Sequence, residues 1–205
     1  GWTSLKVTDV IEETHDTKTI FLVDEKNPEC PFDYIAGQYM TFRFDGVEAK
    51  PVVRSYTLSS CPNEEPFVAF TVKRVEKGLI SNWLCDNISP GDIMKARGPI
   101  GKFYYDHKEH CKNLVMIAAG SGVTPFISIL KQYASAEQYP GIHLTLIVSY
   151  RSTKDLILWD DIEALRKQNH IDIFVTLTRE SAEGFLNGRP TPEMVSQLLK
   201  NDYKD

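Results

Sequence analysis

Arg54-Ser55-Tyr56-Thr57-Leu58-Ser59-Ser60 follows two valines and gathers a cation, an aromatic ring and several hydroxyls into seven residues. Side chains alternate along a strand, so Arg54, Tyr56 and Leu58 share one side and Ser55, Thr57 and Ser59 the other. A strand of this kind offers a guanidinium to a phosphate, a ring to a planar heterocycle, and hydroxyls or backbone groups to ring heteroatoms. That combination suits a flavin nucleotide. It is also what an ordinary amphipathic strand of a barrel looks like, and the heptapeptide alone does not separate the two.

The segments around it are strand-like. Leu5–Ile11 and Thr17–Val23 flank a polar, turn-like Glu12–Asp16. Asp24–Pro31 is a charged, proline-bearing loop, Tyr39–Phe44 alternates again, and Asp45-Gly46 is a hairpin-type turn signal. Phe67–Val75 is β-rich and Gly91–Ala96 is a shorter run of the same kind. Six or so closely spaced strands with turn residues between them predict an antiparallel β-barrel over residues 1–105.

The character changes after Tyr105. Asp106–His110 is a polar connector, and Leu114–Ala119 is a continuous apolar run, as in a parallel strand buried on both faces. Gly120-Ser121-Gly122 breaks it. Thr124-Pro125 has the form of an N-cap followed by proline at the first helical position, and Phe126, Ile127, Ile129, Leu130 and Tyr133 continue a helical apolar face. Strand His143–Tyr150, helix Trp159–Lys167, strand Ile171–Leu177 and a second Thr-Pro start at Thr191-Pro192 repeat the alternation. Residues 106–205 therefore predict a doubly wound α/β domain with a parallel sheet.

Gly120-Ser121-Gly122-Val123-Thr124-Pro125 lies where a buried strand feeds a helix. Glycines there let backbone approach a ligand, and a helix start presents free N–H groups to phosphate beyond the carboxyl ends of the strands. A plain tight turn has the same appearance. Gly78 and Ser81, in Lys77-Gly78-Leu79-Ile80-Ser81, offer an anion-binding turn at the start of a short helix.

Composition excludes several classes. A net charge of −5 over 205 residues argues against a nucleic-acid surface. No apolar run approaches the roughly 18 residues that span a bilayer, and the start shows no secretory signal. Cys30, Cys61, Cys85 and Cys111 are too dispersed for a zinc or iron–sulfur site, so reduced thiols in a cytoplasmic protein are expected. His15, His107, His110, His143 and His170 lack metal-ligand spacing, so no metal site is expected. Asp160 and Asp161 suit a helix start, Trp2 and Trp159 suit packing, and Arg43, Arg97 and Arg151 read as solvated or salt-bridged.

Taken in order, Arg-x-Tyr-Thr-x-Ser, then Gly-x-x-Ser, then Gly-x-Gly-x-Thr-Pro resemble the ferredoxin–NADP reductase superfamily, most closely bacterial oxygenase reductases and related electron-transfer flavoproteins. Ala36-Gly37-Gln38-Tyr39 and Gly98-Pro99-Ile100-Gly101-Lys102-Phe103 look like segments of the same family. The resemblance implies an FAD-binding barrel ahead of an NAD(P)-binding α/β domain. It implies that Arg54 holds the flavin diphosphate, that Tyr56 packs on the isoalloxazine, and that Thr57 bonds near the hydride-accepting atom, with Ser55 beside them. By the same resemblance Val72 and Lys73 lend strand backbone to the flavin edge, and Gly78, Leu79 and Ser81 cradle the pyrophosphate. Gly120, Gly122, Val123, Thr124 and Pro125 form the floor under NADH or NADPH, and Thr178-Arg179 face its adenosine ribose.

Members of that superfamily continue into a further strand with a Cys-Gly turn near the nicotinamide. This sequence has no Cys-Gly dipeptide, so the expected second domain lacks its last strand, with one sheet edge exposed. The implied function is hydride transfer from NAD(P)H to FAD and single-electron delivery to a ferredoxin, oxygenase or heme protein. A flavin-binding subunit that ignores nicotinamides, and a flavin-free binding domain, are the competing readings. No second basic residue stands beside Arg179 in sequence, which favours NADH.

Overall fold

A computed structural model of the chain describes residues 1–62, 64 and 66–199. The last six residues of the expected second domain lie outside the described residues. Two sheets organise the rest. The first uses β1 (Thr3–Thr14), β2 (Thr17–Asp24), β3 (Tyr39–Phe44), β4 (Val52–Thr57), β5 (Val68–Lys73) and β6 (Ile93–Ile100). Their order is β4-β3-β6-β1-β2-β5, with every pairing antiparallel. Helix α1 (Leu79–Asn87) separates β5 from β6. Beyond β4 the chain turns back to β5 through the Leu58–Phe70 bridge and the Ser59 N–H bond to the Ala69 carbonyl, which closes the sheet into a barrel.

Alternation explains which face closes inward. Ile20 and Leu22 of β2, Phe70 and Val72 of β5, and Leu5 and Val7 of β1 fill the barrel core with Met40 and Phe42. Complete burial of each such side chain is worth about 1.5–3 kcal/mol. Thr17, Thr19 and Thr71 point the other way but are equally buried, because the second half of the chain covers that face. The turn expected at Glu12–Asp16 is shorter than the composition suggests. β1 runs on to Thr14, a bulge leaves Glu13 opposite no residue of β2, and His15-Asp16 alone make the turn.

The second sheet is parallel, in the order β10-β9-β8-β7, from β7 (Asn113–Ala119), β8 (His143–Tyr150), β9 (Ile171–Leu177) and β10 (Leu186–Asn187). Helices α2 (Thr124–Gln132), α3 (Trp159–Leu165) and α4 (Pro192–Leu198) connect or follow these strands. The continuous burial of Leu144–Tyr150 is that of a strand covered on both faces. Thr191 caps α4 as expected, accepting from the Met194 N–H. Thr124 does not cap α2: a 3-10 turn over Gly120–Val123 precedes the helix, Thr124 is already helical, and its hydroxyl donates to the Ser121 carbonyl. The glycine-rich turn tightens so far that it supplies its own acceptor.

The halves are joined by polar contacts as well as packing. Ser128 Oγ of α2 donates to the Ser60 carbonyl at 2.6 Å. Lys131, one turn later, reaches Glu64 at 3.1 Å and Asp161 at 3.4 Å. Burial works against the charge on Lys131, but Asp161 and Glu64 outweigh it and hold its pKa above the ordinary value. Asp161 nevertheless stays above the usual carboxylate range, because burial there exceeds the attraction of the single ammonium. Among the described residues no helix is long and apolar enough to cross a membrane.

Candidate functional site

The barrel face around β4 and β5 looks onto the carboxyl ends of β7, β8 and β9, and a cleft runs between them. It has two lobes of about 750 and 700 Å³ that share Lys73, Ser121 and Arg151. Each lobe is the size of a small-ligand site. The barrel-side lobe is walled by Ser55, Tyr56, Thr57, Thr71 and Lys73 and floored by Gly122, Thr124 and Pro125. Tyr56 stacks on Phe70 with ring centroids 5.0 Å apart, and burial pushes its phenol up to about 12. It is therefore a neutral aromatic wall at any ordinary pH. The Thr57 hydroxyl has no protein partner among the described residues, whereas Ser55 pairs with Thr41 across the strands at 2.8 Å.

The second lobe lies over the parallel sheet, against Ala118, Ala119, Gly120, Tyr150, Thr178 and Arg179. Strand carboxyl ends are where ligands sit in open α/β sheets. A Cβ placed on Gly120 or Gly122 meets nothing within 4 Å, so those glycines leave space that the protein itself does not use. Gly120 also takes a left-handed φ of +52°. Arg151 and Arg189 line the same lobe as Arg179, and none of the three is ion-paired among the described residues. Three guanidiniums and Lys73 against the single carboxylate of Asp155 give this lobe a cationic lining suited to an anion.

Other predicted residues lie away from the cleft walls. Arg54 is exposed, and its guanidinium donates to the Val53 carbonyl at 2.8 Å. Val72 and Val123 are buried in the two hydrophobic cores, so only their backbone can face a ligand. Gly78 precedes α1, where an added Cβ would lie 2.7 Å from Ser81 Oγ and 2.9 Å from Val75 Cβ. The Ser81 hydroxyl accepts from the Val75 N–H and the Gly78 N–H donates to the Val75 carbonyl, so this loop is held rigid by its own groups. Leu79 opens the helix and is exposed.

The structure also corrects two readings of arginine. Arg151 is not merely solvated: it borders both lobes. Arg179 does have basic company, supplied by Arg151 and Arg189 from other segments. Arg151 follows β8 directly, so the carboxyl-end rule would have found it, whereas Arg189 follows a two-residue strand with no pattern of its own. His15, Asp16 and Asp155 converge at one edge of the cleft, with ligand-type atoms within 4.8 Å. Thr14 and Thr17 donate to Asp16 Oδ1. They outweigh the effect of its burial and hold Asp16 below the usual carboxylate range. Nothing further there points to an ion, and we assign none.

Residues 4–105 match the family described as "Oxidoreductase FAD-binding domain", and residues 111–203 match "Ferric reductase NAD binding domain". The chain is 34% identical over 194 residues to the ferredoxin reductase component of 3-ketosteroid-9-alpha-monooxygenase from Rhodococcus rhodochrous, covering 95% of this chain and 53% of the relative. It is 30% identical over 194 residues to the NADH oxidoreductase HCR of Escherichia coli, covering 94% of this chain and 55% of that one. Thus it spans about half the length of these curated relatives. Among solved structures, the flavohem-like FAD/NAD-binding domain of nitric oxide dioxygenase from Vibrio cholerae superposes with a TM-score of 0.82 at 26% identity, covering 93% of this chain and 80% of that one.

Proposed function

The chain belongs to the ferredoxin–NADP reductase superfamily, with an FAD-binding domain followed by an NAD-binding domain, and from this we propose that it takes hydride from NAD(P)H and hands the electrons singly to a redox partner. The observation that carries the reading is the continuous cleft itself. One lobe has an aromatic wall, polar strand groups and Gly122, the next has Gly120 and three arginines, and Lys73, Ser121 and Arg151 belong to both. Two planar redox groups, one held in each lobe, would be brought next to each other. We place the division between the domains at residues 105 and 106.

The residues present fit both groups. FAD, when bound, supplies the acceptance of electrons as a pair and their release one at a time. Tyr56 contributes the ring wall, Thr57 an uncommitted hydroxyl, and Lys73 a cation at the junction of the lobes. Arg54, at the barrel surface, is assigned the diphosphate, and the rigid Gly78–Ser81 turn with its Leu79 N–H is assigned the pyrophosphate as well. Gly120 and Gly122 admit close backbone approach by the nucleotide, Thr124 and Pro125 floor the barrel-side lobe, and Val72 and Val123 contribute main chain. Thr178 and Arg179 take the adenosine ribose. With Arg151 and Arg189 joining Arg179, the cavity favours the nucleotide bearing the extra phosphate, NADPH. The protein aligns the two rings, and hydride transfer itself needs no general base.

The partner we expect is an iron–sulfur, oxygenase or heme protein. The four cysteines form no disulfide among the described residues, and we place the chain in a reducing compartment, the cytoplasm. Anaerobic titration of the FAD-loaded protein with NADPH and with NADH, followed by visible absorbance, tests the function. Bleaching of the yellow colour at one equivalent supports it. A protein that retains FAD but is bleached only by dithionite is not a nicotinamide-dependent reductase.

A further inference from the structure

The bulge in β1 places a carboxyl group at the head of a file of buried hydroxyls. Glu13 Oε1 lies 2.6 Å from Thr19 Oγ1, Thr19 Oγ1 lies 2.8 Å from Thr71 Oγ1, and Thr71 Oγ1 lies 3.1 Å from Ser59 Oγ. Thr19 and Thr71 are directly opposed residues of β2 and β5, on the barrel face covered by the second domain. They are only 3% and 6% exposed. Thr71 borders the barrel-side lobe of the cleft. Glu13, Thr19 and Ser59 border a different cavity, of about 190 Å³, which Thr71 does not line. The hydroxyls therefore bridge two separate spaces through the protein.

We propose that Glu13, Thr19 and Thr71 form a proton relay that carries protons from the cofactor cleft to this second cavity. A hydroxyl has one hydrogen to give and lone pairs to receive. With Glu13 ionised, Thr19 donates to it and Thr71 can donate to Thr19. With Glu13 protonated at Oε1, Glu13 can donate to Thr19, Thr19 to Thr71, and Thr71 to Ser59. The polarity of the Thr19–Thr71 contact can therefore follow the proton on Glu13. A proton arriving at Thr71 Oγ1 displaces that hydroxyl's hydrogen to Thr19 Oγ1, and the Thr19 hydrogen passes to Glu13 Oε1. One O–H bond forms and one breaks at each hydroxyl, and the carboxylate gains one proton.

The relay rests on the proposed function, which creates the need for it. Withdrawing a hydride from a reduced nicotinamide and passing on two electrons leaves one proton behind per hydride, in a cleft that bound cofactors close to water. Glu13 is placed to receive it. Around it stand Asp160 and Asp161 of α3, Glu64 before β5 and Lys131 of α2, with Leu158 lining the same cavity. Three carboxyl groups against one ammonium favour a proton's arrival. Burial, assisted by Asp161 and Asp160, raises the pKa of Glu13 above the usual range, so it can hold the proton in transit. Cross-strand Thr pairs also occur as plain sheet contacts, so the test must separate conduction from support.

Thr19→Val removes the central hydroxyl from a residue outside the cofactor cleft while keeping its shape, and Thr19→Ser keeps the hydroxyl. In the FAD-loaded 205-residue chain, the ¹³C shifts of Thr71 should titrate with the same midpoint as the Glu13 carboxyl carbon. That response should vanish in Thr19→Val and in Glu13→Gln and persist in Thr19→Ser. Turnover with ferricyanide as one-electron acceptor should fall by at least about tenfold in Thr19→Val and lose its dependence on the Glu13 midpoint. Anaerobic reduction by NAD(P)H should be unaltered. A Thr71 signal that ignores Glu13, or a Thr19→Val variant with the parent's pH profile, overturns the relay. If neither nicotinamide reduces the flavin, the reductase reading fails instead, and the shift titration still decides whether the file is coupled.

Discussion

Gly122 lines the barrel-side lobe, and a Cβ built on it meets no atom within 4 Å. Its φ is not in the left-handed region, so alanine is tolerated by the backbone. Gly122→Ala should therefore leave the fold intact, with a stability change within about 1 kcal/mol and, if anything, a gain from lowered chain entropy in the unfolded state. The added methyl projects into space assigned to the nucleotide, and overpacking a filled site costs about 1–3 kcal/mol. At about 1.4 kcal/mol per decade that is about a 5- to 150-fold rise in KM for NAD(P)H. Urea unfolding measures the first quantity and stopped-flow anaerobic reduction the second. A variant of unchanged KM would show that the ligand does not approach Gly122, and the floor of the site would have to be redrawn.

Ser128→Ala removes the 2.6 Å bond to a carbonyl at a residue only 1% exposed, so the interdomain joint should lose about 1–3 kcal/mol in urea unfolding; an unchanged midpoint would mean that packing alone holds the halves. Arg54→Ala should weaken FAD retention by about 1.5–3 kcal/mol, read by equilibrium dialysis, through loss of a charge-assisted phosphate bond, and unaltered affinity would remove Arg54 from that role. Arg179→Ala and Arg189→Ala should each raise KM for NADPH about 10- to 150-fold while sparing NADH, and equal effects on both nucleotides would place these guanidiniums elsewhere on the ligand. Because burial raises the folded-state pKa of Glu13, the native protein binds this proton more tightly than the unfolded chain does. Stability from this group is present at low pH and falls as pH rises from the unfolded value of about 4.3 through the folded value. Glu13→Gln should remove that fall, and parallel stability–pH curves for the parent and Glu13→Gln would contradict it.

Local pattern exposed most of the architecture. Alternation in Tyr39–Phe44 reports directly on one buried face, and the Thr191-Pro192 cap is a local hydrogen-bond signature. The unbroken apolar run ending at Ala119, which reads as a strand buried on both faces, is instead the sheet's edge strand β7, with Ile117 51% exposed, and the strand covered on both faces is β8. What the sequence concealed depends on register. Glu13 sits in a stretch polar enough to pass for a turn, and only pairing with β2 shows it to be a bulged strand residue. Thr19 and Thr71 are 52 residues apart and become neighbours solely through the β2–β5 ladder. The arginines are a similar case. Arg151, Arg179 and Arg189 belong to three connections and meet only because parallel strands end at the same edge. Arg54 shows the reverse: its motif was plain in sequence, yet with its guanidinium turned to the Val53 carbonyl it lies away from the cleft walls.

The account depends above all on a flavin ring lying in the barrel-side lobe beside Tyr56. A crystal structure of the FAD-loaded chain decides this directly. It should show the tricyclic ring against the Tyr56–Lys73 wall, with the Gly122–Pro125 floor left to the nicotinamide nucleotide and the diphosphate at Arg54. Density for the ring anywhere else, or a chain that takes up no FAD at all, would contradict it.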